Sequence, residues 1–154
     1  MKKIMFVLVV AALACVIVHT AYAGEEEDSV ALAKKAALVI KEQGREKGFA
    51  EIMNPNGNLR KGRIMVTAND FAGLCLANAA FPKLVGQNHF TLRDADDKYF
   101  IQDAIQIAKT KGGGWLGWSF TDPETKKITR FKAWVQRVEG AEIFVMAPIP
   151  LGKK

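Results

Sequence analysis

Residues 111–138 read KGGGWLGWSFTDPETKKITRFKAWVQRV, a stretch that fits an antiparallel hairpin and little else. Three glycines end whatever helix precedes them. Two β-rich segments follow, Trp115 to Thr121 and Lys127 to Val138, joined by the turn residues Asp122-Pro123-Glu124-Thr125-Lys126. The two-residue period of a strand sorts the side chains. Trp118 and Phe120 share one side of the first strand, and Trp115 takes the other. On the second strand Phe131, Ala133 and Val135 form an apolar face, while Lys132 and Trp134 point the opposite way. On the plain packing reading the Phe131 face meets the helices, while Lys132 and Trp134 face water or a partner; the alternative is that the hairpin forms one wall of a pocket.

The segments around it supply the layers. Glu25-Glu26-Glu27-Asp28-Ser29 reads as a helix start, with Asp28 or Ser29 as N-cap. Val30 to Gln43 follows with Val30, Ala33, Ala37 and Ile40 at helical spacing, and Gly44 marks a cap or kink. A second short helix through Phe49 to Met53 ends in the turn NPNGN. The period then changes to that of strands, Arg63 to Ala68 and Gly73 to Ala79, with Asn69-Asp70 as the hairpin turn between them. Ala80 to Arg93 is a connection long enough to be a functional loop. Asp94, Asp96 and Asp97 offer N-caps for a helix over Lys98 to Lys109, striped by Ile101, Ala104, Ile105 and Ala108. A last strand spans Glu142 to Ala147. The order predicts an α+β domain: an antiparallel sheet of about five strands, a long N-terminal helix, and helices segregated to one side.

Residues 1–23 stand apart as a targeting segment. Lys2 and Lys3 precede the apolar run Ile4 to Val18, and Ala21-Tyr22-Ala23 supplies small residues for a signal peptidase. Cleavage after Ala23 leaves residues 24–154 as a single exported, periplasmic domain. An uncleaved N-terminal anchor is the alternative, although the apolar run is shorter than the roughly 20 residues of a comfortable span. Cys15 does not sit in a lipobox, because Leu13 lies two residues before it rather than three. The formal charge of +6 includes Lys2 and Lys3, and the remaining basic residues are dispersed. Dispersed charge on an exported protein sets nucleic acid aside as a partner.

Catalytic sets are missing from the sequence. Outside the targeting segment His89 is the only histidine and Cys75 the only cysteine, the latter in an apolar run that favours an inert, buried thiol. No CxxC, HExxH, GxSxG or Walker pattern occurs. The aspartates at 94–97 lack the glycine and distant glutamate of a calcium loop. The expectation is a protein that is not an enzyme and carries no metal or cofactor.

Several stretches together resemble bacterial extracytoplasmic single Cache domains of the second subfamily. Leu84-Val85-Gly86-Gln87-Asn88 with Asp94-Ala95-Asp96, Gly114-Trp115, Asp122-Pro123, and Trp134-Val135-Gln136-Arg137-Val138 match the family's segments in order and spacing. The resemblance implies a PAS-like sensor fold with a helix-loop cover over a pocket for a small metabolite, an organic acid or similar. Free-standing and exported, such a module would serve sensing or delivery, with a membrane receptor or kinase as partner and a homodimer through the N-terminal helix as a possible assembly. The family commonly places a lysine where this chain has Phe131. Lys132 stands one place later, and in a strand one place is the opposite face.

The residues expected to line a ligand pocket are Trp118, Asn78, Phe81, Lys83, Phe120, Lys132 and Trp134. Trp118 is the foremost of them, because Gly117 beside it leaves room. Asn88 and His89 are expected to fix the loop by hydrogen-bonding neighbouring backbone. An alternative function, motivated by Phe131 and by Pro148 and Pro150, is a protein-interaction module of the same fold that has lost its ligand. It predicts a pocket filled by the chain's own side chains.

Overall fold

The computed structural model describes residues 24–121 and 127–153. Helix α1 covers residues 24–43 and α2 covers Arg45–Met53. Seven strands follow: β1 (Arg60–Lys61), β2 (Ile64–Met65), β3 (Thr67–Asp70), β4 (Cys75–Asn78), β5 (Gly113–Thr121), β6 (Ile128–Arg137) and β7 (Ile143–Lys153). A 3-10 turn at Pro82–Leu84 and helix α3 (Phe100–Lys111) lie between β4 and β5. β1 and β2 form a small hairpin of their own. The other five strands make one antiparallel sheet in the order β4-β3-β7-β6-β5.

Both faces of the sheet carry helices, contrary to the one-sided arrangement expected from element order. The α1 side chains Ser29, Leu32, Ala33, Ala36, Ala37 and Ile40 are buried, a stripe at helical spacing. Leu32 through Ile40 pack with Ile52 of α2 against Val66, Ala68, Val145, Ala147 and Ile149 of the sheet. The intervening strand residues face the other way. There Phe100, Ile101, Ala104, Ile105 and Ala108 of α3 pack on Leu116, Ala133, Val135, Phe144 and Met146. Element order carries no information about which face a helix covers; the strand alternation does, because Phe144 and Val145 are adjacent and both fully buried.

Several boundaries differ from the sequence reading for identifiable reasons. Asp28 and Ser29 are inside α1 rather than its N-caps, and Ser29 has a different role. Its hydroxyl accepts from the Trp134 N–H (3.1 Å) and donates to the Ala147 carbonyl (2.6 Å), so it stands between two paired residues of β6 and β7. Asn69 is a buried strand residue. The turn comes one step later, where the Asp70 carboxylate accepts from the N–H groups of Ala72 and Leu74 and Gly73 takes φ 86°. α3 begins at Phe100 with Tyr99 before it and no side-chain cap. Gly112, at φ 72°, closes the helix as its left-handed cap. β7 continues through Pro148 and Pro150. Its pairing with β3 ends at Met146, and beyond that point it pairs with β6, an edge position that tolerates proline. The turn at 122–126 and the segment 1–23 lie outside the described residues.

Candidate functional site

On the α3 side, the sheet is only partly covered by the helix. Beyond it, the connection from Ala80 to Leu92 arches over the β4, β3 and β7 half and encloses a cavity of about 360 Å³. The pocket is therefore not filled by the chain's own side chains.

The cover is fastened by backbone pairing. Gly86 N–H donates to Cys75 O (2.8 Å), Cys75 N–H to Gln87 O (2.9 Å), and His89 N–H to Gly73 O (2.8 Å). The Asn88 amide donates to Ala72 O, and its oxygen accepts from Phe90 N–H. Asn88 and the His89 backbone thus hold the loop as expected. A side chain at Gly73 would stand 2.7 Å from the Phe90 nitrogen, so glycine is required where turn and cover meet. The aspartates beyond the loop anchor it to β5 instead of capping α3. Asp94 Oδ2 accepts from Ser119 N–H (3.1 Å), and Asp96 Oδ2 accepts from the Ser119 hydroxyl (2.7 Å).

One end of the cavity is polar. Thr67 sits opposite Asn78, and Asn69 opposite Cys75, with a bulge between the two pairs that keeps Cys75 and Asn78 on one face despite their odd spacing. Thr67, Asn69 and Asn78 are 7%, 3% and 8% exposed. Asn78 Oδ1 is engaged by Phe81 N–H (2.8 Å). The Thr67 hydroxyl is buried without a hydrogen-bond partner among the described residues, an arrangement that disfavours folding unless something else satisfies it. Burial pushes the Cys75 thiol pKa up, partly offset by a hydrogen bond with Asn78. Burial also lowers the pKa of His89, another lining residue, which favours its neutral form.

The other end is apolar and aromatic. Trp118 stacks on Phe100 (5.4 Å between centroids, 11° between planes) and on Phe131 (5.4 Å, 14°). Phe120, Phe81, Pro148 and Pro150 continue this wall. Among the seven expected site residues, Trp118, Asn78, Phe81 and Phe120 therefore meet around one cavity. Lys83 lies in the 3-10 turn, exposed and away from the lining.

Lys132 and Trp134 are on the opposite face, as their register with Gly117 and Trp115 dictates. Lys132 Nζ lies 2.6 Å from Glu26 Oε1 of α1 and 4.4 Å from the Trp115 ring centroid. Trp134 packs edge-on against Trp115 and donates to Gln136 Oε1. Their absence from the cavity follows from the two-residue period alone. The lining residues that sequence reasoning did not assign to the pocket include Arg63, Thr67, Asn69 and His89. Alternation in Met65-Val66-Thr67-Ala68-Asn69 was the available signal for two of them.

The sequence matches the family described as Single Cache domain 2 over residues 8–149, and the chain belongs to that family. The matched span begins inside the segment 1–23. Among solved structures, one described as the structural basis for carboxylic acid recognition by a Cache chemosensory domain is 17% identical, with TM-score 0.69, covering 87% of this chain and 98% of that one. A periplasmic sensor domain of a chemotaxis protein is 14% identical with TM-score 0.64, covering 84% and 92%. A methyl-accepting chemotaxis protein from Vibrio parahaemolyticus RIMD 2210633 is 14% identical with TM-score 0.62, covering 86% and 93%. At these identities the likeness is one of fold. No curated protein matches the sequence. The chain is thus a sensor-type domain of PAS-like α+β architecture, in a family of extracytoplasmic sensory modules. Among the described residues no helix is long and apolar enough to cross a membrane, and no cluster of side chains could hold a metal ion.

Proposed function

We propose that this protein binds a small organic acid, non-covalently and without turning it over, in the cavity between β3, β4 and the Trp118 wall, and that it works outside the cytoplasm after cleavage at Ala23. The observation that carries this is the Thr67 hydroxyl, buried in the lining beside Asn69 and Asn78 with no hydrogen-bond partner among the described residues. A carboxylate presents acceptor oxygens to a hydroxyl, an amide N–H and an imidazole, and its apolar body would lie against Trp118, Phe120 and Phe131. An amphipathic pocket with few polar groups suits such a molecule. The Cache domain described as recognising a carboxylic acid, with the same fold, supports the same class. Occupancy would be passed to a membrane receptor, in line with the chemotaxis proteins whose sensor domains share the fold.

Thermal shift of the purified protein tests the proposal. A ligand at 100 times its Kd stabilises the folded state by about 2.7 kcal/mol. A carboxylate from a panel of organic acids should raise Tm by several degrees while its amide does so less. A panel of organic acids that leaves Tm unmoved would refute the proposal.

A further inference from the structure

We propose that Arg63 is the residue that selects an anionic ligand, and that Glu25 of α1 is a built-in competitor for it, so that ligand binding loosens the first turn of α1. This rests on the cavity being the ligand site. Among the described residues, Arg63 is the only lysine or arginine that lines the cavity. It immediately precedes β2, at the border between the cavity and the face that α1 covers. Its Nε and Nη2 each donate 2.9 Å bonds to the two carboxylate oxygens of Glu25, a fork against a fork. A ligand carboxylate has the same two oxygens in the same geometry, so Glu25 occupies the guanidinium as a ligand would. Glu25 is therefore a mimic of the ligand's head group carried by the chain itself.

Exchange of one carboxylate for the other is a near-even trade, because each offers the guanidinium the same two oxygens. The Arg63 side chain is about half exposed and that of Glu25 about a quarter, so solvent screens the pair in part. The same end of α1 is also pinned by Glu26 to Lys132, by Asp28 to Lys61, and by Ser29 between β6 and β7. Losing the Glu25 attachment loosens the first turn, which Glu26 still holds to Lys132, and leaves the helix docked. The cavity and the start of α1 are then linked: whatever fills the first loosens the second, and by reciprocity whatever tightens the second weakens ligand binding.

Isothermal titration with the purified protein, using straight-chain monocarboxylates from acetate to octanoate and their amides as probes, tests this. Glu25→Gln removes the competitor and should tighten carboxylate binding about two- to fivefold, the strength of one exposed pair, and leave the amides unchanged. Asp28→Asn also removes a pin of α1, to a lysine outside the lining, and should leave carboxylate affinity at the parent value. Arg63→Gln should abolish the preference for acid over amide. Hydrogen exchange at the amides of Asp28 and Ser29, which follow the four partnerless N–H groups at the start of α1, should speed up when the carboxylate binds. The proposal is overturned if the parent binds a carboxylate and Glu25→Gln binds it no tighter, or if Asp28→Asn tightens it equally; the cavity would remain the ligand site in either case. If no probe binds parent or variant, the ligand class falls and the competitor role with it.

Discussion

Phe131 and Lys132 are neighbours on one strand, yet they belong to different environments. Lys132 faces α1, where the sheet is covered by contact: alanines 33 and 36 let the helix approach, and Trp115, Trp134, Glu26 and Ser29 occupy the remaining space. Phe131 faces the side where α3 covers Leu116, Ala133 and Val135 but ends there, leaving the β3 and β4 half to a loop. The same strands in the same register thus give a filled face and a hollow one. The difference lies in what covers them: a long, alanine-rich helix closes a surface, whereas a short helix and a backbone-pinned loop roof it over. Polar groups follow the division. On the filled face Ser29 is fully buried and satisfied at both hydrogen bonds; on the hollow face Thr67 is buried and is not.

The largest expected contrast comes from one aromatic on each face. Trp134→Ala should lower stability by about 3–5 kcal/mol, as deletion of a packed aromatic does, and leave carboxylate affinity within twofold. Phe131→Ala should reverse the ranking, with the smaller stability loss and the larger loss of affinity, as read by chemical denaturation and titration calorimetry. Equal effects of the two on both measurements would dissolve the distinction between the faces.

Ser29→Ala comes next. It leaves the Trp134 N–H and the Ala147 carbonyl without their bridge, which should cost about 1–3 kcal/mol without moving ligand affinity. A neutral result in denaturant melts would mean that β6 and β7 close the gap by themselves.

The smallest effect is on pH dependence. His89 has its pKa lowered by burial in the folded state. The unfolded chain therefore takes up a proton first, and stability is fully present above about 6.5 and falls as pH drops through that value toward the folded pKa. His89→Gln should remove this decline between pH 7 and 5, seen in Tm against pH. The carboxylate of Glu25, held below its ordinary pKa by hydrogen bonds from Arg63, acts lower, its contribution fading as pH falls below about 4.5.

Much of the hollow face was legible in the sequence. The two-residue period separated Trp118 and Phe120 from Trp115 on one strand, and Phe131 from Lys132 and Trp134 on the next; which sets share a side depends on the register between the strands, which pairs Trp118 with Phe131 and Trp115 with Trp134. The helical stripes of α1 and α3 were legible from their own period. What escaped depended on contacts between distant segments. Asn69-Asp70 has turn chemistry, but the Asp70 carboxylate organises the residues after it, which pulls Asn69 into the strand. Asp94 and Asp96 look like helix caps until Ser119, on β5, offers them donors. The bulge that turns Cys75 and Asn78 to the same face has no marker in Cys75-Leu76-Ala77-Asn78. Lys132 was reasonable as a pocket residue by its chemistry, and its register with Gly117 places it on the α1 face.

Thr67→Val tests most directly that the hollow is kept for a ligand. Valine preserves the shape of threonine and removes a buried hydroxyl that has no partner among the described residues. If the hydroxyl waits for an organic acid, the variant should be more stable than the parent by about 1 kcal/mol, and its affinity for the best carboxylate should fall about tenfold. A variant that is less stable, with carboxylate affinity unchanged, would contradict the account.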